Sequence, residues 1–179
     1  ENTTGDVNTA VGANALDANT TGQQNVAFGS GALTANTTAN YNNAIGAFTL
    51  TANTTGANNT ALGHGALYAN TTGTQNTLLG VSCGDSLTTA GNNTAIGMNA
   101  LGAATTGCNN VVVGTFCMDQ GSGMNYYVAI GHDTARHVTT GGNNVFIGHS
   151  AGHNNSPSGQ ITTQGNVVVL GNNSTGNLY

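Results

Sequence analysis

Four histidines crowd the last third of the chain, and two of them, His132 and His149, stand one repeat apart. Imidazoles repeated at a fixed interval could bind a transition metal if symmetry or a fold brought enough of them together. They could equally stack on each other or hydrogen-bond at a surface. The positions equivalent to His132 in the rest of the chain are Ala13, Ser30, Ala47, His64, Val81, Met98 and Thr115. Most of these cannot ligate a metal, so the plain reading is exposed or hydrogen-bonded histidine, and no metal or cofactor is expected. A second use of such groups is recognition. Tyr126, Tyr127, His132, Arg136, His137, His149 and His153 supply the aromatic faces and hydrogen-bond donors that carbohydrate binding uses. They fall in three irregular stretches, Met118–Tyr127, His132–Val138 and His149–Thr163. Loops held on a rigid scaffold are where binding groups concentrate. These seven are the candidate receptor-binding residues. The plainer alternative is that the loops are irregular because they adapt the repeat to a following domain.

Catalytic chemistry has little to work with. Asp6, Asp17, Asp85, Asp119 and Asp133 are scattered without a recurring partner, so no paired general acid and base is expected, and the chain does not read as an enzyme. A glycine-aspartate calcium nonapeptide is missing. Cys83 and Cys117 fall at one repeat position two units apart, which at about 4.8 Å per unit is beyond disulfide reach. With Cys108 elsewhere in the unit, the three cysteines read as small apolar fillers, in keeping with assembly in a reducing compartment.

The element that must position all these groups is a repeat. Nine glycines recur at every seventeenth position, from Gly12, Gly29 and Gly46 through Gly63, Gly80, Gly97, Gly114 and Gly131 to Gly148. Around each runs a variation on Asn-x-Ala-aliphatic-Gly-x-x-Ala-Leu-x-x-Asn-Thr-Thr-Gly-x-x, counted here from position 1 at the Asn. A fixed period of this kind marks one supersecondary unit stacked many times. Segments such as Asn93-Thr94-Ala95-Ile96 and Asn110-Val111-Val112-Val113 are short, β-rich and stopped by glycine, which reads as strand. A unit this short has no room for a strand, a helix and two connections, so two short strands per coil are expected, with turns at Gly and at Asn-Thr-Thr-Gly. Alternation puts positions 2 and 4 on one face and position 3 on the other. The aliphatic position 4 is then expected to face the core. Position 3 (Ala10, Ala27, Ala44, Ala61, Ala95, Ala129) is expected to meet a crowding neighbour chain. Asparagines at positions 1 and 12 should stack as ladders. Only about two large apolar side chains per coil are available, so a lone roll looks thin and a homotrimer is expected. The count breaks after Gly148, and the next aliphatic-glycine step, Leu170-Gly171, comes later than the period requires. The organisation expected is thus a repeat solenoid over 1–160 and an irregular segment, 161–179, leading to a following domain. With no initiating Met, the chain is expected to be an internal or processed piece.

Composition closes other routes. Arg136 is the one cationic residue apart from histidine, and there is no lysine. Nucleic-acid binding lacks its charge source, and a phosphate-cradling loop lacks its lysine. A net charge of −5 spread over 179 residues steers no partner. No apolar run is long enough to span a membrane as a helix. The Asn-x-Thr sequons at Asn19, Asn36, Asn53 and Asn70 are a by-product of the turn phrase, and their glycosylation is not expected.

Asn8-Thr9-Ala10-Val11-Gly12, Tyr127-Val128-Ala129-Ile130-Gly131 and Asn144-Val145-Phe146-Ile147-Gly148 resemble the Ser-Val-Ala-Ile-Gly motif in the heads of trimeric autotransporter adhesins. The Asn-Thr-Thr-Gly-x-x-Asn-Thr-Ala-x-Gly form is closer to repeats in the tail fibres of tailed bacteriophages. The resemblance covers nearly the whole chain, although this unit is longer than the adhesins' own. It implies an all-β, left-handed parallel β-roll, a homotrimeric fibre that belongs to a virion, contacts other tail proteins and attaches to host cells, where a surface glycan is one possible partner. An ending similar to Val167-Val168-Val169-Leu170-Gly171-Asn172 precedes, in such fibres, a self-cleaving chaperone. The alternative of the same architecture is a bacterial surface adhesin or extracellular filament. A polysaccharide depolymerase is disfavoured by the lack of carboxylate pairs. Ice binding is disfavoured because the repeated threonines lie in turns.

Overall fold

The structure, a computed structural model, describes residues 3–153 and 159–172. Each coil contributes one short strand: β1 (Thr9–Val11), β2 (Val26–Phe28), β3 (Asn43–Ile45), β4 (Thr60–Leu62), β5 (Thr77–Leu79), β6 (Thr94–Ile96), β7 (Val111–Val113), β8 (Val128–Ile130), β9 (Val145–Ile147) and β10 (Val168–Leu170). They form one parallel sheet in chain order, β1 to β10, each strand pairing only with its neighbours in sequence. From β1 to β9 the register advances by one repeat per strand, as in Ala27 against Ala44 and Ala44 against Ala61. From β9 to β10 the step is longer, Val145 against Val168, so the sheet continues into the stretch read as irregular. The architecture is a β-solenoid. Pro157, between β9 and β10 in sequence, lies outside the described residues.

The glycine at position 5 sets the period for two reasons that coincide. Its φ runs from +117° to +144° over the nine copies, a conformation open to glycine alone. A Cβ on Gly29, Gly63 or Gly97 would also collide with the carbonyl of the glycine one coil on. The chain turns and the coils touch at the same atom.

Among the described residues, the second half of the coil holds neither a helix nor the expected second strand. Ala-Leu-x-Ala runs as consecutive turns, and its backbone bonds to the next coil instead: Leu33 N–H donates to Thr49 C=O at 3.0 Å and Leu50 N–H to Ala66 C=O at 3.0 Å. The buried leucines adopt left-handed φ, +52° at Leu33 and +51° at Leu50 and Leu67. One αL residue per turn breaks the alternation a strand requires. Turn geometry thus satisfies the backbone between coils without any strand.

The facing of positions 3 and 4 is the reverse of the expectation. Ala27, Ala44, Ala61, Leu78, Ala95, Val112, Ala129 and Phe146 at position 3 are buried within their own chain. Position 4 points outward: Phe28, Ile45, Leu62, Ile96, Ile130 and Ile147 keep roughly 40–55 % of their surface in solvent. The reason is width. Position 9 leucines (Leu33, Leu50, Leu67, Leu101) reach across a coil so narrow that they leave room for only an alanine opposite. Where position 3 is Leu or Phe, position 9 is glycine, whereas Val112 still leaves room for Met118. Leu78 faces Gly84, whose Cβ would collide with Leu78 and Leu87. Phe146 faces Gly152 in the same way. Position 3 is small because its own coil crowds it, and no neighbouring chain is needed to explain it.

Asparagine ladders line both inner corners. At position 1, Asn42 N–H donates to Asn25 Oδ1 at 2.9 Å and Asn59 N–H to Asn42 Oδ1 at 3.0 Å. The Nδ2 groups reach on to Gly56 and Gly73 carbonyls at 2.9 and 2.8 Å. At position 12, Asn36, Asn53 and Asn70 each donate from Nδ2 to the Oδ1 of the asparagine one coil back, at 2.9, 3.0 and 2.8 Å. This ladder ends where coil 5 carries Leu87 in place of asparagine. Asn70 Oδ1 is buried there without a hydrogen-bond donor, as a leucine in the next rung requires. Asn19, Asn36, Asn53 and Asn70 are fully buried, so these sequons present no acceptor in the folded chain.

Candidate functional site

The seven candidate residues come from coils 7 to 9 and separate into two surface clusters, one buried ring (Tyr127) and one exposed ring (Tyr126). His132 and His149, both at position 6, stack face to face with centroids 5.4 Å apart and planes 9° apart, as equivalent positions in adjacent coils should. His132 also meets the edge of Phe116 at 6.4 Å, and its Nδ1 lies 3.3 Å from Asp133 Oδ2. The far side of His149 is tied to β10's flank, with Asn172 Nδ2 3.2 Å from His149 Nδ1.

Arg136 joins this cluster from position 10. Register explains where it goes: side chains at position 10 lie beside position 7 of the preceding coil, as Thr51 Oγ1 donating to Gly31 C=O at 3.1 Å shows. Arg136 accordingly covers the Phe116 ring, its Cζ 5.2 Å from the centroid. Its Nη1 donates to Asp133 Oδ1 at 3.2 Å. Its Nε lies 3.2 Å from Asp119 Oδ1, an ion pair by distance whose angle falls outside that of a hydrogen bond, so both atoms remain without a hydrogen-bond partner. Burial pushes the Asp119 carboxyl above the usual range, and the guanidinium opposes that push. A guanidinium engaged by two carboxylates and a ring is poorly placed to bind an anion from solution.

The second cluster is His137 with His153. Their Nε2 atoms lie 2.8 Å apart, and His137 Nδ1 lies 2.7 Å from Gln120 Oε1. An amide oxygen only accepts, so His137 carries its proton on Nδ1, leaving Nε2 to accept from His153 Nε2–H. Burial lowers the His137 pKa, with His153 and Arg136 adding to the effect. Among the described residues no group of three or more His, Cys, Asp or Glu is arranged to hold a metal ion.

Tyr127 does not belong to the surface. It takes the place of asparagine at position 1 and is 1 % exposed, stacked on Phe146 with centroids 6.2 Å apart and planes at 7°. Its N–H continues the ladder to Asn110 Oδ1 at 3.0 Å, and its hydroxyl donates to Thr140 C=O at 3.1 Å. Tyr126 beside it is exposed, in the left-handed conformation at φ +62°. Phe116, Gln120, Asp119 and Asp133 complete the clusters and are not among the candidates. Their signal is positional, since each stands at position 7, 10 or 11 of a coil next to a candidate.

Cys83 and Cys117 are buried thiols whose pKa burial pushes up to about 12, and Cys108 is half-buried; all three are free. No family model matches the chain, and neither a curated protein nor a solved structure matches it.

Proposed function

We propose that the chain is a structural and host-attachment segment of a viral, phage-type tail fibre, built as a left-handed β-roll in which three copies pack side by side. The observation that carries this reading is the outward face of the sheet. Position 4 runs a ladder of exposed Val11, Phe28, Ile45, Leu62, Ile96, Ile130, Ile147 and Leu170 along it. Position 2, on the same face, is Thr or Val in all but one of the ten strands and carries no charge. Exposed apolar residues scattered singly are ordinary, whereas a continuous uncharged band marks an interaction surface. Covering each half-exposed rung contributes on the order of 1 kcal/mol. The band runs the length of the sheet, about 43 Å for nine steps of ~4.8 Å, so a partner of the same length and repeat suits it. A second copy supplies that match. Three around one axis would leave the Thr-Thr-Gly turns outward and the His132, Arg136 and His137 clusters near one end.

Sedimentation of the purified chain is expected to give a trimer, and a folded monomer at micromolar concentration overturns the assembly. Exchanging residues 115–163 between fibres of two phages with different hosts is expected to transfer cell binding. Unchanged host range places the receptor site outside this chain.

A further inference from the structure

A second surface feature lies at mid-length, where the second of two glycines in a ladder leaves open space: a Cβ on Gly31 would meet Phe48 at 3.0 Å, but Gly65 has no such neighbour. Position 7 is Asn14, Gly31, Phe48, Gly65, Ser82, Asn99, Phe116, Asp133 and Ser150. At Gly65 the ladder has a gap one coil high, between Phe48 above and Ser82 below. A Cβ built on Gly65 would meet nothing nearer than Ser82 Oγ at 3.8 Å. Because position 10 flanks position 7 of the preceding coil, Tyr68 stands beside Phe48 and Asp85 beside Gly65. His64 closes the side, its ring edge-on to Phe48 at 5.8 Å and 79°. The result is a cleft of about 280 Å³ lined by Phe48, His64, Gly65, Tyr68, Ser82 and Asp85. That is the small end of ligand sites, sized for one ring rather than an extended molecule.

We propose that this cleft is a subsite for a single neutral hexopyranose unit. Phe48 and Tyr68 are both about half exposed, so each offers an apolar face for the C–H side of a sugar ring. Around them stand a carboxylate (Asp85), two hydroxyls (Ser82 and Tyr68) and an imidazole (His64), which together both donate and accept. A polyol needs that mixture. A quaternary ammonium ion would use only the rings and the carboxylate, and an anion would meet Asp85, whose carboxyl desolvation already raises. The site is independent of the fibre reading, since it lies within one chain and binding a monosaccharide requires no assembly.

The test is saturation-transfer NMR and titration calorimetry on the purified chain with methyl glycosides of glucose, galactose, mannose and N-acetylglucosamine, and with choline. At least one methyl hexoside is expected to bind with millimolar affinity. Gly65→Phe should abolish that binding by filling the gap. It should fold, because Phe48 and Phe116 hold the same position at φ +57° and +53°. Tyr68→Ala and Asp85→Asn should each weaken binding tenfold or more. Asn99→Phe, the same plug two coils on, should leave it unchanged, with oligomeric state checked for every variant. No hexoside binding, binding of choline alone, or binding that survives Gly65→Phe overturns the proposal.

Discussion

His137 shows how much of a candidate residue's chemistry lies in its neighbours. Its Nε2 needs a lone pair to accept from His153, and protonation would set two N–H groups against each other across 2.8 Å. Desolvation and the charges of His153 and Arg136 lower its pKa, against a weaker upward pull from Asp119 and Asp133; Gln120 Oε1, on Nδ1, favours the tautomer that accepts. The sign follows. The folded pKa lies below the unfolded value of about 6.5, so the contribution is fully present above that pH and is lost as pH falls through the folded value. Acidifying from pH 7.5 to pH 5 is therefore expected to speed amide exchange around residues 137–153 relative to coils 2 to 4. A His137 titration midpoint at or above that of ordinary histidine, read by NMR, contradicts the arrangement. Tyr127 teaches the complementary lesson. As an aromatic among loop residues it reads as a binding group, yet it occupies an asparagine-ladder position, and that position is the better guide to its burial.

At the scale of the coil, the period, the strand before each glycine and both asparagine ladders were legible from residue types alone, while the parallel roll came from the resemblance. The phase was not legible. Alternation separates positions 3 and 4, and hydrophobicity alone assigns the bulkier one inward. The coil is too narrow for Ile or Leu at position 3 while Leu67 or Leu101 crosses from position 9. The signal lay in the departures, Leu78 with Gly84 and Phe146 with Gly152, which trade volume within one coil. The turns in the second half were hidden because leucine does not advertise the positive φ it adopts here. The trade can be transplanted. Ala61→Leu alone should destabilise by about 1–3 kcal/mol through overpacking. Leu67→Gly alone should cost about 2–5 kcal/mol through the cavity it leaves. Together they should cost less than the sum by at least about 1 kcal/mol, since each relieves the other. Thermal or denaturant unfolding of the four proteins measures this, and strict additivity would mean that positions 3 and 9 do not share one space.

For the molecule as a whole, the reversal of phase moves the apolar surface from inside to outside. Inside, coils 2 to 4 are already filled by Leu, Ala and two asparagines, and coils 5, 6 and 8 bury Leu87, Ala104 and Val138 in place of the second asparagine. Outside, ten strands present a sheet face whose position 4 residues are aliphatic or aromatic throughout. A lone solenoid would carry that face in water along its full length, and pairing through it requires no change in the coil. Leu62→Lys with Ile96→Lys places two ammonium groups on this face, two coils apart. In a single chain both point to solvent, so the fold and its circular dichroism should be unchanged. In a side-by-side trimer each would be buried without a counter-charge, at a cost of several kcal/mol per ion, and threefold symmetry repeats the penalty. The double variant is expected to sediment as a monomer at concentrations where the parent is expected to form the proposed trimer. Thr55→Lys with Thr89→Lys, the same charges on exposed turns, should leave assembly intact. A double variant that stays trimeric with an unshifted melting midpoint would show that the chains meet through some other face.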